Sequence, residues 1–162
     1  MTLKDNLNTG LGRVSSPGAS EPFVLDENGI CVLPVPMPPT LVRLADNRLM
    51  VRVEMAPTGN LFSLMTPLAV VGKTASTEFY KTLFYRQRRA EQVVGLSMAL
   101  QSEDEKQDIL VATYHWMLDA ITPEEFAELF KKFTFGALVL IQEIVEMARR
   151  ESAVKSLHKG RP

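Results

Sequence analysis

The sequence predicts an α+β fold: an antiparallel, twisted sheet of about five strands with three helices, in the order helix, three strands, helix, two strands, long helix. Two observations carry that prediction. Val93 to Leu118 reads as strand, charged turn and strand: Val94, Leu96, Met98 and Leu100 alternate with Gly95, Ser97, Ala99 and Gln101, the period of two of a strand with one strongly apolar face. After Thr122-Pro123-Glu124-Glu125 the period changes. Phe126, Leu129, Phe130, Phe133, Ala137, Leu140, Ile141, Ile144, Val145 and Ala148 form a stripe at helical spacing, which requires one long helix with a single buried face.

The remaining elements follow in chain order. Leu3, Leu7, Leu11 and Val14 recur at three- and four-residue steps, predicting a short amphipathic helix over 2–15 that Gly10 and Gly12 weaken. Ser15 to Ser20 is a loop by composition, and Phe23-Val24-Leu25 enters a first strand that turns at Asp26-Glu27-Asn28-Gly29 and continues through Ile30 to Leu33. Pro34, Pro36, Pro38 and Pro39 lack the backbone donor that a central strand needs, so they mark an extended connector or a sheet edge. A PxxP ligand for an SH3-like partner is the sharper and less common alternative. Thr40 to Leu44 and Arg48 to Met55 flank a turn at Ala45-Asp46-Asn47, and Leu49, Val51, Val53 and Met55 share one face of the outgoing strand. Leu61 to Val71 reads as a loop or short apolar helix. Ser76 or Thr77 then caps a helix bearing Phe79, Tyr80, Leu83 and Phe84, which closes at Arg86-Gln87-Arg88-Arg89. Thr122 caps the long helix, with Pro123 at its first position and Glu125 placed for a capping box. Arg149 and Arg150 end it, leaving a basic, mobile tail over 151–162 after a single domain over 1–150.

Composition excludes several functions. Eighteen basic and 19 acidic side chains among 162 residues leave a formal net charge of -1, with no field that would draw the protein to nucleic acid or an anionic membrane. One cysteine, Cys31, rules out an internal disulfide and suits a reducing cytosol. The N-terminus has no apolar run of a secretory signal, and the longest apolar run, Ala137 to Ile141, is far short of a membrane span. A cytoplasmic protein is expected.

Catalytic and cofactor signatures are missing. The two histidines, His115 in a predicted strand and His158 in the tail, stand in unrelated contexts, and His115 reads as a partly buried polar residue. Cys31 sits between Ile30 and Val32 as a small core residue. Gly72-Lys73-Thr74 resembles the end of a phosphate-binding loop, but the position of its first glycine holds Pro67, which has no N–H to offer a phosphate. Glu103, Asp104 and Glu105 form an acidic hairpin tip without the ligand spacing of a calcium loop, and are read as a solubilising turn with ordinary carboxylate pKa values. No enzyme activity, cofactor or metal is expected.

Val24-Leu25-Asp26-Glu27-Asn28-Gly29-Ile30-Cys31-Val32-Leu33 joined to Leu49-Met50-Val51-Arg52-Val53-Glu54, then Phe79 to Gln87 followed by Gly95 to Leu100, resembles the Tir chaperone (CesT) family, the class I chaperones of bacterial type III secretion. The likeness covers nearly all of residues 3–148. The near-neutral charge, the proline-rich connector and the long last helix depart from the family pattern. The resemblance implies a type III secretion chaperone-like fold and a cytosolic bacterial homodimer. Such a dimer would hold the N-terminal chaperone-binding segment of one or more secreted effectors extended and secretion-competent, with the secretion apparatus as a further partner. By the family's plan the dimer contact falls to Phe79, Leu83, Phe84, Leu96 and Met98, and effector binding to Leu7, Leu11, Leu49, Val51 and Val53. For each of these the plain alternative is core burial. Two other functions compete: a regulatory or structural dimer of the same fold that binds a cytosolic protein, and a small-molecule or enzymatic domain.

Overall fold

The structure, a computed structural model, describes residues 1–15, 21–37, 48–102, 104–117 and 120–159, without side chains at 87, 89–94 and 152–159. The predicted turn at Ala45-Asp46-Asn47, the strand at Thr40 to Leu44 and the loop at 16–20 lie outside the described residues. Thr2 starts α1 (Leu3–Val14) through a reciprocal capping box: its hydroxyl accepts the Asp5 N–H, and the Asp5 carboxylate accepts the Thr2 N–H at 2.9 Å. The Thr2 hydroxyl also donates to the Asp5 carboxylate at 2.7 Å, and that bond, with the one from the Thr2 N–H, holds the Asp5 carboxyl below its ordinary range. Leu3, Leu7 and Leu11 turn into the core as the spacing requires.

Four strands and a hairpin partner make one antiparallel sheet in the order β1-β2-β3-β5-β4. Its members are β1 (Ile30–Pro36), β2 (Arg48–Met55), β3 (Phe62–Gly72), β4 (Ser97–Ser102) and β5 (Gln107–Trp116). Between β3 and β4 runs α2 (Thr77–Val94), and α3 (Pro123–Lys159) closes the chain. The expected α+β order is therefore the observed one. Cys31, Leu33, Leu49, Val51, Val53, Phe62, Leu64, Leu110 and Ala112 share the sheet face that meets the helices, in one core with Leu7 and Leu11 of α1, Leu83 of α2, and Phe126 to Ile144 of α3. Burial pushes the Cys31 thiol up, so it stays a neutral core group.

Several boundaries differ from the sequence reading. The stretch read as a loop or apolar helix, Leu61 to Val71, is the central strand β3. Pro67 disguised it, and the structure shows how the strand tolerates that residue. The Ala56 N–H donates to the Leu61 carbonyl, and the β2–β3 register continues that pairing toward Met50 opposite Pro67. By the alternation of an antiparallel ladder, position 67 should donate to the Met50 carbonyl, which proline cannot do. The Thr66 hydroxyl donates to that carbonyl instead, at 2.8 Å, and the β3–β5 register shifts between Pro67 and Ala69.

The first strand begins later than expected: Phe23 to Leu25 precede the turn without pairing, and β1 starts at Ile30 and runs through Pro34 and Pro36 as a sheet edge. Asp26 closes the turn by accepting the N–H groups of Asn28 and Ile30 on one carboxylate oxygen, each at 2.8 Å, and Gly29 takes φ 76°. The middle helix does not stop at Arg86 to Arg89. It continues to Val94 and ends on Gly95, whose φ of 67° is the left-handed closure of a helix, so Val93, Val94 and Gly95 leave the strand assigned to them. The long helix likewise passes Arg149 and Arg150 to reach Lys159.

Candidate functional site

Thr122 and Glu125 fix the start of α3 reciprocally: the Glu125 carboxylate accepts the Thr122 N–H at 2.8 Å and the Thr122 hydroxyl accepts the Glu125 N–H at 3.2 Å. The first of these holds the Glu125 carboxyl below its ordinary range. From that start Phe126 packs edge-on to Phe62, ring centres 5.6 Å apart, and against the backbone of Gly10. Helix α3 thereby spans both α1 and β3. Ser76 caps α2 by accepting the Phe79 N–H at 3.1 Å. The Ser76 hydroxyl also donates to Glu151, and Arg86 reaches Glu143 at 3.3 Å, so α2 lies antiparallel to the second half of α3.

This packing decides where the expected contact residues stand. Leu7, Leu11, Leu49, Val51 and Val53 are all 0% exposed. They line the seam between α1, the sheet and α3, so none of them can touch a client unless the core opens; they are core residues in this chain. Leu83 and Leu96 of the expected dimer set are buried as well, against the same core. Phe79 and Met98 are partly buried at its margin, and Phe84 is open at 63% exposure. Of the ten residues, Phe84 is the one offered fully to a partner.

Two apolar surfaces do stand free. On α2, Phe84 is followed by Tyr85 at 73% exposure, and the adjoining β4 adds Leu100 at 45%. Tyr85 was missed because it falls off the helical stripe that the core selects; Leu100 is on the period-two stripe, opposite Leu110, but β4 is the last strand of the sheet and leaves it uncovered. The second surface is the sheet face away from the helices, where Val32, Met50 and Val70 are exposed and the half-buried Met65 and Ile109 share the face. His115 is on this face too, opposite Ser63, and exposed rather than partly buried as expected.

Among the described residues no group of three His, Cys, Asp or Glu side chains is placed to hold a metal ion, and no helix is long and apolar enough to cross a membrane. Lys73, the lysine of the truncated phosphate motif, points to the hairpin, with Ser102 at 3.3 Å and Asp108 at 3.8 Å. Asp104 departs from the ordinary pKa expected of the hairpin tip. It accepts the N–H groups of Lys106 and Gln107 at 2.6 and 2.8 Å, and they hold its carboxyl below that range. Glu103 lies outside the described residues.

No known protein-family profile matches the sequence, and no curated protein does, so membership of the CesT family is not shown. Solved structures do share the fold. A chain of the HopA1–SchA chaperone–effector complex matches with a TM-score of 0.55 at 15% identity, over 88% of this chain and 96% of that one. A chain of the ExsC–ExsE complex matches with a TM-score of 0.56 at 17% identity, over 85% and 92%. YbjN from E. coli, a candidate transcription regulator, matches with a TM-score of 0.55 at 13% identity, over 90% and 92%. The arrangement of helices and sheet is common to all three; at these identities the likeness is one of fold.

Proposed function

We propose that this protein is a cytosolic type III secretion chaperone that binds the N-terminal segment of one or more effectors and keeps it extended and competent for secretion. One observation carries the reading: a fold shared nearly end to end with a chain of a chaperone–effector complex leaves bare apolar side chains on two separate surfaces. Apolar side chains left exposed side by side, as Phe84 and Tyr85 are, suit a protein contact. On this reading the protein is no enzyme and needs no cofactor. A homodimer forms where α2 and β4 present Phe84, Tyr85 and Leu100, with Phe79 and Met98 at the rim and Leu83 and Leu96 supporting the surface from below. The extended client lies elsewhere, on apolar side chains such as Val32, Met50 and Val70, whereas Leu7, Leu11, Leu49, Val51 and Val53 hold the platform in shape. Exposed methionines adapt to varied side chains, which suits a client bound without a fixed fold.

The test is co-expression with candidate effectors encoded nearby. A true client co-purifies and gains solubility; if none of them does either, the reading fails. The YbjN likeness favours a second reading, a regulatory dimer of the same fold that binds another cytosolic protein. That reading predicts a stable complex with a non-secreted partner and no effect on effector solubility.

A further inference from the structure

The two edges of the sheet are chemically unlike. On β1 the Gly29 carbonyl accepts the Met55 N–H at 2.8 Å, and Ile30 pairs with Glu54 in the next register position. Antiparallel ladders alternate, so Cys31, Leu33 and Val35 direct their N–H and C=O groups to β2, and Ile30, Val32, Pro34 and Pro36 direct theirs away from it. The turn supports that assignment independently: both outward groups of Ile30 are taken by Asp26, whose carboxylate accepts the N–H at 2.8 Å and whose N–H donates to the carbonyl at 2.9 Å. Both prolines of β1 therefore occupy outward positions, where they leave the β2 ladder intact. Among the described residues no strand pairs with this edge, and from Ile30 to Pro36 it retains a single N–H donor, that of Val32, beside the carbonyls of Val32, Pro34 and Pro36.

The opposite edge is whole. The Lys73 N–H donates to the Lys106 carbonyl, and Val71 pairs with Asp108, so the even-numbered residues of β5 face β3 and its odd-numbered residues face β4. Ile109, Val111 and Thr113 pair with Gln101, Ala99 and Ser97. Met98 and Leu100 consequently present both backbone groups outward.

We propose that Pro34 and Pro36 close the β1 edge to strand addition, so that a second copy of this chain cannot extend the sheet there. Each proline denies an incoming strand one N–H, and the strand carbonyl opposite would lose its water without gaining a donor. The proposal does not depend on the identity of the client.

The double variant Pro34→Thr, Pro36→Thr restores both donors with residues that favour strands. It is expected to fold as the natural chain does. In dilute solution its new amides at 34 and 36 should exchange hydrogen at close to open-chain rates, while those of Cys31, Leu33 and Val35 are slowed by roughly 100-fold or more. At rising concentration it should form assemblies larger than those of the natural chain in sedimentation velocity, and Val32→Pro should not. Slowed exchange at 34 and 36 in dilute solution, loss of folding, or a size distribution equal to that of the natural chain over a tenfold concentration range would each overturn the proposal. Exchange in the unaltered protein gives an independent check: the Val32 amide must be fast and the Leu33 amide slow, and the reverse order refutes the assignment of the edge.

Discussion

Gly10 sits inside α1, where glycine costs about 1 kcal/mol relative to alanine. A side chain there would serve the helix and damage the core. A Cβ at position 10 would come within 2.5 Å of the Phe126 ring, and Phe126 is fully buried between Phe62 and Phe130, with no room to retreat. Overpacking of this kind costs about 1–3 kcal/mol or more, which exceeds the propensity gain. Gly10→Ala should therefore lower stability to urea by about 1–2 kcal/mol, and a more stable variant would show that the ring moves freely. The sequence marked Gly10 only as a weak point of a helix, because the residue it accommodates is 116 positions away along the chain. The ionisable residues at helix starts behave more locally. The carboxyl of Glu125 titrates below its ordinary range in the folded chain, so its contribution to stability is complete above the ordinary carboxylate pKa. It is lost as pH falls through the depressed folded value. Glu125→Gln keeps an acceptor for the Thr122 N–H and removes the titration; its stability should fall less steeply between neutral and acid pH than that of the natural chain, read by urea unfolding at several pH values.

At the scale of elements, β3 holds the sheet together and was the element hardest to foresee. Pro67 argues against a central strand on sound grounds. What permits it is the hydroxyl of Thr66, which serves the Met50 carbonyl from the neighbouring residue, together with the register shift that follows. No local pattern announces a side chain standing in for a missing backbone donor. Thr66→Val retains the shape and strand preference of the residue and deletes that donor, and should cost about 1–2 kcal/mol in urea unfolding; an unchanged midpoint would mean that water replaces it. The end of α2 was obscured for another reason. Val93 and Val94 favour strands, and Gly95 reads equally well as a small strand residue or a helix stop, so only its positive φ decides between them. By contrast α1 and the start of α3 were legible, because a long stripe or a capping box can be satisfied in only one way. The candidate surfaces were legible in a weaker sense. The period-two pattern of Leu49, Val51 and Val53 shows that one face must be covered; it does not show whether a helix of the same chain or a client covers it.

Seen whole, the molecule places its three helices on one side of the sheet and keeps an apolar margin on α2 and β4. Helix α3, 37 residues or about 55 Å long, buries its stripe as far as Ile144 among the side chains described, and continues beside the start of α2, where Ser76 meets Glu151. The half of the molecule around α2 is thus thinly covered by its own chain, and on the proposed reading a second copy completes it. Residue choice separates dimer contact from folding. A charge at Leu83 or Leu96 would enter the core and unfold the monomer, so it reports nothing about association. Phe84 and Tyr85 stand in solvent on the same helix, and Phe84→Glu with Tyr85→Glu should leave the far-UV spectrum and urea midpoint of the subunit close to those of the natural chain at low concentration. If α2 joins two copies, the mass from light scattering at micromolar concentration falls from twice the chain mass to the chain mass, because two unpaired carboxylates would have to be buried in an apolar contact. A dimer that survives both charges places the contact on another surface, and a natural chain that is monomeric at the same concentration removes the dimer from the proposed function.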